Sequence, residues 1–415
     1  MSTENIELLL NQIAESYVRL VLSLGLHDEN YVDAYFGPAE LQHQVKTERK
    51  SLDDIKIIAE SLLNQVSSIS LGDEEDVLQL RSKYLQGQLS SLIARVEILQ
   101  GKKLSFDEEA KALYDATPPK YPESHFQLIL AELNELLPGS AAVNDRFLNF
   151  KEKFVIPRNK LDMVFSAAIN ECRSKTKKYI SLPENESFTI EYVTGKSWSG
   201  YNWYKGNCYS LIQVNTDLPI YIDRAIDLAA HEGYPGHHVY NSLLDINLFR
   251  KKKWIEFSVY ALFSPQSLIA EGTANFGIEV AFPGKERIMF EKEVLFPLAG
   301  LDPTEADIYY KIHDLSLKLS YAGNEAARGY LDGEMDYNQT VKWLNTYALM
   351  SIERAKQRIS FFDTYRSYVI NYNLGQDLVK HYIEARGGTS DNPDKRWKEF
   401  TALISSPRLP SGLKF

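Results

Sequence analysis

The chain has 415 residues, with 56 acidic against 46 basic side chains and a formal net charge of −10. That balance argues against a general nucleic-acid binder, whose footprint is basic, and no apolar run approaches the ~20 residues of a membrane span. Only Cys172 and Cys208 are present, too few for a disulfide framework or a thiolate cluster, so a reduced, cytoplasmic chain is expected and any metal must be held by histidine and carboxylate.

The N-terminus, Met1-Ser2-Thr3-Glu4-Asn5, lacks the basic start of a secretory signal. Ile6, Leu9, Ile13, Tyr17, Leu20 and Leu24 recur at helical steps, and Gly25 offers a stop. Leu85, Leu89, Leu92, Val96 and Leu99 repeat the pattern before Gly101. Between them Asp73-Glu74-Glu75-Asp76 reads as a helix start or a solvated turn. Thr117 to Pro122 and Pro138-Gly139-Ser140 interrupt helix. A boundary is therefore placed near residue 140, between an N-terminal helical region (1–140) and the remainder (141–415).

From about 187 to 216 the period changes to two, as in Phe188, Ile190 and Tyr192, and again from Cys208 to Thr216. This predicts a small antiparallel sheet of two to four strands inserted in a mainly α chain. A helix starting near Asp217–Pro219 then runs into the histidines. Ser264-Pro265 forms an N-cap and first-turn pair for another. Later helices are expected over 305–321, 338–362 and 377–386, followed by a proline-rich tail wrapping the surface. The run Arg250-Lys251-Lys252-Lys253 reads as a solvated helix face.

The chemistry is concentrated in His231-Glu232-Gly233-Tyr234-Pro235-Gly236-His237-His238, which holds three of the eight histidines. A zinc hydrolase needs two neutral imidazoles, a third protein ligand and a position left for water. It also needs a carboxylate to take that water's proton. The common solution is H-E-x-x-H, because residues four apart share a helix face. Here the second histidine follows six or seven residues on. In a straight helix six residues turn it to the opposite side, and seven carry it about 10 Å along the axis. Zinc–nitrogen bonds of about 2.0–2.1 Å cannot span that.

The sequence supplies a remedy. Pro235 lacks the N–H that would return to the His231 carbonyl, and Gly236 tolerates unusual backbone angles. If Pro235-Gly236 loops out, the remaining order restores H-E-x-x-H with His231 and His237. His238 is left as an outer partner or a substrate-facing group. The expectation is a helix broken at Pro235.

This segment resembles the H-E-x-x-P-G-H-H signature of the DUF885 family, helical proteins read as zinc metallopeptidases. They are distantly similar to the angiotensin-converting-enzyme, thimet oligopeptidase and thermostable carboxypeptidase families. Val214-Asn215-Thr216, Ala270-Glu271-Gly272 and Tyr372-Asn373-Leu374-Gly375 extend the resemblance over roughly residues 190 to 410. Thr273 stands where the family has tryptophan, and the chain is shorter than typical members. The resemblance implies a two-lobed helical metallopeptidase-like body with a small sheet beside the active-site helix. It implies one zinc ion on His231, His237 and Glu271, with Glu232 as general base.

A carboxylate from a later helix is also what the chemistry requires, and Glu279 is the rival on the same helix as Glu271. Asn275, one turn from Glu271, is a candidate partner for a ligand. Tyr372 is the candidate oxyanion donor, with Tyr321 in reserve. Asn215 and the edge of its strand are candidates for binding an extended peptide. Arg224, Arg328, Arg354, Arg358 and Arg366 are candidate clamps for a substrate carboxylate.

The leading expectation is a zinc carboxypeptidase or oligopeptidase that hydrolyses short peptides with metal-activated water. Two readings stand beside it: a zinc amidohydrolase of a non-peptide metabolite, and a non-catalytic helical binding protein with a degenerate metal site. An intact Glu232 speaks against the last, since a structural zinc needs no base.

Overall fold

The apolar stripes of the sequence become buried helix faces in the computed structural model, which describes residues 3–69 and 77–413. Helix Thr3–Leu24 buries Ile6, Ile13, Tyr17, Leu20 and Leu24, and Val77–Leu99 buries Leu85, Leu89, Leu92 and Val96. The acidic run 73–76 lies outside the described residues. Helix starts are fixed by capping boxes at Ser51 with Asp54, Ser105 with Glu108 and Asp336 with Gln339. Core residues on both sides of residue 140 belong to one hydrophobic cluster reaching from Ile6 to Leu413. No described helix is long and apolar enough to cross a membrane.

The molecule is mainly α, with five short strands among the described residues: β1 (Val32–Tyr35), β2 (Ser187–Val193), β3 (Gly200–Tyr204), β4 (Tyr209–Asn215) and β5 (Val259–Ala261). β3 and β4 make the expected antiparallel pair, with Gly200 opposite Val214 and Tyr204 opposite Ser210. One feature of the expected sheet needs correcting. β2 lies on the other side of β4 and runs parallel to it, Ser187 opposite Tyr209 and Val193 opposite Asn215. The 194–199 connection crosses the end of β4, where Asn215 N donates to Ser199 O and Thr216 N donates to Val193 O. Period-two alternation fixes which side chains share a face but carries no strand direction. β1 and β5 form a separate antiparallel ribbon that the sequence reading did not contain.

Helix Pro265–Ala281 begins as expected at Pro265, but Ser264 makes no cap bond: its Oγ donates to Ala261 O, 2.7 Å away. Two further boundaries differ. The helix expected over 338–362 is two, Tyr337–Tyr347 and Ile352–Tyr365, separated where Leu349 takes a positive φ of 53°. The tail does not simply wrap the surface. Pro393 opens a helix to Ile404 that buries Trp397, Phe400 and Leu403.

Candidate metal centre and its cleft

The helix entering the motif runs over Asp223–Leu228, widens into a π-helical turn at Ala229–Gly233, and stops. Tyr234 is extended (φ −123°, ψ 115°), and a new helix starts at His237. The break begins one residue before the expected Pro235. Its backbone groups remain satisfied: Tyr234 N donates to Ala229 O at 3.0 Å and Gly236 N to Ala230 O at 2.9 Å. These bonds draw Gly236 so close that a Cβ there would sit 1.9 Å from His231 O, so only glycine fits. The excursion of Tyr234, Pro235 and Gly236 returns His237 to His231, and their Nε2 atoms lie 3.1 Å apart.

The third corner comes from helix Pro265–Ala281. A Cβ at Gly272 would meet the Gly375 carbonyl carbon at 2.4 Å, and one at Gly375 would meet Leu268 O at 2.7 Å. Helices Pro265–Ala281 and Ile370–Ala385 therefore cross in near backbone contact, with Glu271 beside that crossing. Glu271 Oε2 lies 3.2 Å from His231 Nε2 and 3.6 Å from His237 Nε2. One donor atom from each of the three falls within 4.8 Å of the others.

A ring of partners orients these donors. Tyr368 donates its hydroxyl to Glu271 Oε1 at 2.7 Å. Asn275 Nδ2 donates to the Tyr372 carbonyl at 2.8 Å, so its Oδ1 is the atom 2.8 Å from His231 Nδ1. An amide oxygen only accepts, so Nδ1 carries a hydrogen and Nε2 is the ring atom turned to the centre. Asn275 is thus bonded to a candidate ligand, His231.

The test of fit for a cation rests on Glu271 Oε2. This oxygen is buried and accepts no aligned hydrogen bond, although its partner Oε1 is satisfied. Burial raises Glu271, but the imidazoles of His237 and His231 outweigh it and hold the carboxyl well below its usual range. Burial likewise opposes charge on His231, yet Glu271 and Glu232 draw it up to about 9. Without a metal, the site holds a proton where a cation would replace it. Two imidazole nitrogens and a carboxylate oxygen, one of them orphaned, form a donor set that fits zinc.

The remaining expected residues divide sharply. Glu232 is buried and lines the cleft of about 970 Å³ with the triad and Tyr372. Its backbone carbonyl accepts from Asn202 Nδ2 of β3 at 2.7 Å. Tyr372 stands beside Tyr368, ring centroids 5.9 Å apart. Tyr321 also lines the cleft, but its hydroxyl donates to Asp377 at 2.5 Å.

His238 is corrected: it faces neither substrate nor the triad. It is fully buried, with Nδ1 2.8 Å from Ser210 Oγ and Nε2 3.3 Å from Glu186 Oε2. Glu279 is not at the centre either; it pairs with Lys380 at 2.8 Å and accepts from Gln376 at 3.1 Å.

Asn215 is spent on the scaffold, since its Nδ2 donates to Lys196 O and Trp198 O, both at 2.9 Å. Its strand offers no free edge, because β4 is the central strand; the edge beside the cleft belongs to β3. Of the five arginines, Arg328 pairs with Asp107 at 3.0 Å, Arg366 with Glu109 at 2.7 Å and Arg224 with Asp227 at 3.1 Å. Arg354 and Arg358 line the cleft.

This arrangement sits in a fold with known counterparts. Solved structures similar to the chain include two putative lipoproteins, from Colwellia psychrerythraea (15% identity, TM-score 0.52, 88% of this chain and 68% of that one) and from Shewanella oneidensis (13%, 0.48, 90% and 75%). An M32 carboxypeptidase from Deinococcus radiodurans R1 matches at 12% identity and TM-score 0.47, over 98% of this chain and 92% of that one. The first of these is a likeness of fold alone. No family model and no curated protein matches the chain.

Several residues of the site lay outside the sequence reading. Tyr368 reaches Glu271 because Glu109, far away in the chain, accepts from Arg366 Nε, Ser367 N and Ser367 Oγ. Asp33 of β1 lines the same cleft and accepts a short hydrogen bond from the Tyr201 hydroxyl. Burial and the charges of Glu271 and Glu232 push its carboxyl up to about 6, against the pull of Tyr201 and His237. The first 140 residues therefore contribute directly to the cleft. No local motif marks Asp33 or Tyr368.

Proposed function

We propose that the chain is a zinc-dependent metallopeptidase of the DUF885 type, hydrolysing short peptides in the cleft above His231, His237 and Glu271. The observation that carries this reading is the convergence of three donor atoms within 4.8 Å, including a buried carboxylate oxygen that accepts no aligned hydrogen bond, beside a buried glutamate in an open cleft. His231, His237 and Glu271 would hold the ion. A zinc ion so held supplies Lewis-acid polarisation and makes water acidic enough to lose a proton near neutral pH.

The rest of the chemistry falls to the chain's own side chains. The Glu232 carboxylate takes one proton from the attacking water, whose hydroxyl adds to the scissile carbonyl carbon. The same carboxyl then hands that proton to the leaving nitrogen as the C–N bond breaks. Tyr372 offers a hydroxyl to the oxygen on which negative charge develops. Tyr368 and Asn275 hold Glu271 and His231 in register and touch no reacting atom. Asn202 pins the backbone of Glu232 to β3.

Metal analysis of the purified protein, joined to peptide hydrolysis before and after chelation, tests the reading. Stoichiometric zinc and activity restored by re-addition are expected. A protein that takes up no zinc, or cleaves peptides equally well in chelator, would sink it.

A further inference from the structure

We propose that Arg354 and Arg358 grip the carboxylate of a peptide's last residue while the adjoining apolar side pocket receives that residue's side chain. The inference rests on the metallopeptidase reading and names its substrate class: peptides with a free C-terminus ending in an aromatic or large aliphatic residue, cut next to that end.

The first support is an excess of unmatched positive charge. Among the described residues, Arg354 and Arg358 have no carboxylate within 4.0 Å, whereas Arg224, Arg328, Arg366 and Arg287 each have one. Arg354 donates only to neutral groups, Ser199 Oγ at 2.8 Å and Gln357 Oε1 at 3.1 Å. Arg358 lies over the Phe361 ring at 4.8 Å, and its Nε is buried with no partner. Burial and the neighbouring charges of Arg224 and Arg358 bring Arg354 down to about 10, a direction that a bound anion reverses. A guanidinium fork is built for bidentate capture of a carboxylate.

Position is the second support. Ser199, which holds Arg354, precedes Gly200, where a Cβ would lie 2.9 Å from Glu232 Oε1. Arg354 therefore stands in the same cleft as Glu232, held by the residue next to the one that abuts the Glu232 carboxylate, and a peptide whose last carboxylate reaches Arg354 runs towards Glu232. Arg358 closes the grip from the Tyr372 side, 6.0 Å from that ring.

The third support is the space beneath. A second cavity of about 270 Å³ shares Ser199, Arg224, Leu228, Met350 and Arg354 with the main cleft. Its wall includes Phe147, Leu148, Leu218, Ile220 and Leu349. An apolar cavity of about 150 Å³ already admits benzene, so this one has room for a phenylalanine or leucine side chain. Arg354 lines both spaces, which ties the apolar specificity to the terminal carboxylate.

Calorimetric titration of the full chain, dialysed against chelator so that no carboxylate can bind a metal, separates these parts. The probes are N-acetyl-phenylalanine, its C-terminal amide and N-acetyl-glycine. The acid is expected to bind at least ten-fold more tightly than the amide, and Arg354→Met to erase that difference. N-acetyl-phenylalanine should also outbind N-acetyl-glycine, and Leu349→Trp, which fills the pocket, should erase this preference alone. Thermal melts confirm that both variants fold.

Equal binding of acid and amide, binding of neither, or an acid preference that survives in Arg354→Met overturns the clamp. Acid preference without discrimination between phenylalanine and glycine overturns the pocket. Cleavage assays distinguish the two layers of the argument. Glu232-dependent hydrolysis that ignores C-terminal amidation removes the clamp and leaves the peptidase. Selective acid binding without hydrolysis keeps the clamp and removes the peptidase.

Discussion

His237 and His238 are neighbours in the chain, yet they belong to opposite kinds of polar cluster. His238 meets Glu186 and Ser210, and Glu186 also takes bonds from Tyr234, at 2.5 Å, and from Arg173. Both ring nitrogens of His238 are used, and both Glu186 oxygens accept. His237 meets His231 and Glu271, where Glu271 Oε2 has nothing aligned to accept from. Histidine and glutamate alone do not distinguish a metal centre from a structural tie. The two clusters differ in satisfaction: a buried polar atom without an aligned hydrogen bond costs roughly 1–3 kcal/mol, and in the proposed site that atom is the one a metal would take.

The most severe way to test the contrast is to remove the proton carrier from the unsatisfied side. Glu232→Gln preserves shape and leaves the three donors in place. It is expected to lower kcat/KM for peptide hydrolysis about 10³-fold, within the range for general acid–base groups, with zinc content unchanged. Full activity in this variant would remove Glu232 from the chemistry. Tyr372→Phe should cost about 10²-fold in kcat, the scale of one oxyanion donor. An undiminished kcat would return Tyr372 to the ordinary tyrosines.

On the satisfied side the expected loss is in stability, not catalysis. Glu186→Ala strands Arg173, Tyr234 and His238 and is expected to cost about 3 kcal/mol, the low end for breaking a buried pair because Arg173 is half-exposed. Denaturant titration measures it. The pH dependence carries a sign. Burial raises Glu186, but bonds from His238, Tyr234 and Arg173 outweigh that and lower its carboxyl from 4.5 to about 2. A depressed acid stabilises the fold above its unfolded value and loses that contribution as pH falls through the folded one. The stability gap between wild type and Glu186→Gln should be full above about pH 4.5 and close towards pH 2. A gap unchanged across that window would mean that the charge of Glu186 is not what holds the cluster.

Most of the unsatisfied side was legible in the sequence, and most of the satisfied side was not. His231, Glu232 and His237 could be read because metal chemistry demands particular residue types at particular spacings, and Pro235-Gly236 explains why the spacing differs. Glu271 was implied by the resemblance carried in Ala270-Glu271-Gly272, on a later helix that could supply a carboxylate, and Asn275 followed as the residue one turn from it. His238 was misread because its partners, Ser210 and Glu186, come from strand neighbours whose pairing no periodicity reveals. The parallel run of β2 escaped for the same reason. β1 and β5, of four and three residues, are too short to show alternation, and with them went Asp33. Tyr368 was hidden among 25 tyrosines, four residues before one that carried a motif.

That pair of tyrosines gives the finest test. Tyr368 and Tyr372 lie one turn apart and both line the cleft, but only Tyr368 is engaged with a proposed ligand, through its 2.7 Å bond to Glu271 Oε1. Without that hydroxyl the carboxylate is free to rotate and Oε2 no longer waits at a fixed point. Tyr368→Phe should therefore weaken zinc about ten-fold, as outer partners of metal ligands do, measured by competition with a chromophoric chelator. At saturating zinc its kcat should return close to wild type. Tyr372→Phe should do the reverse, leaving zinc affinity intact and kcat low at any zinc concentration. If the two variants behave alike, the hydroxyl on Glu271 is not setting the metal's position, and the orphaned Oε2 loses its meaning as the mark of a metal centre.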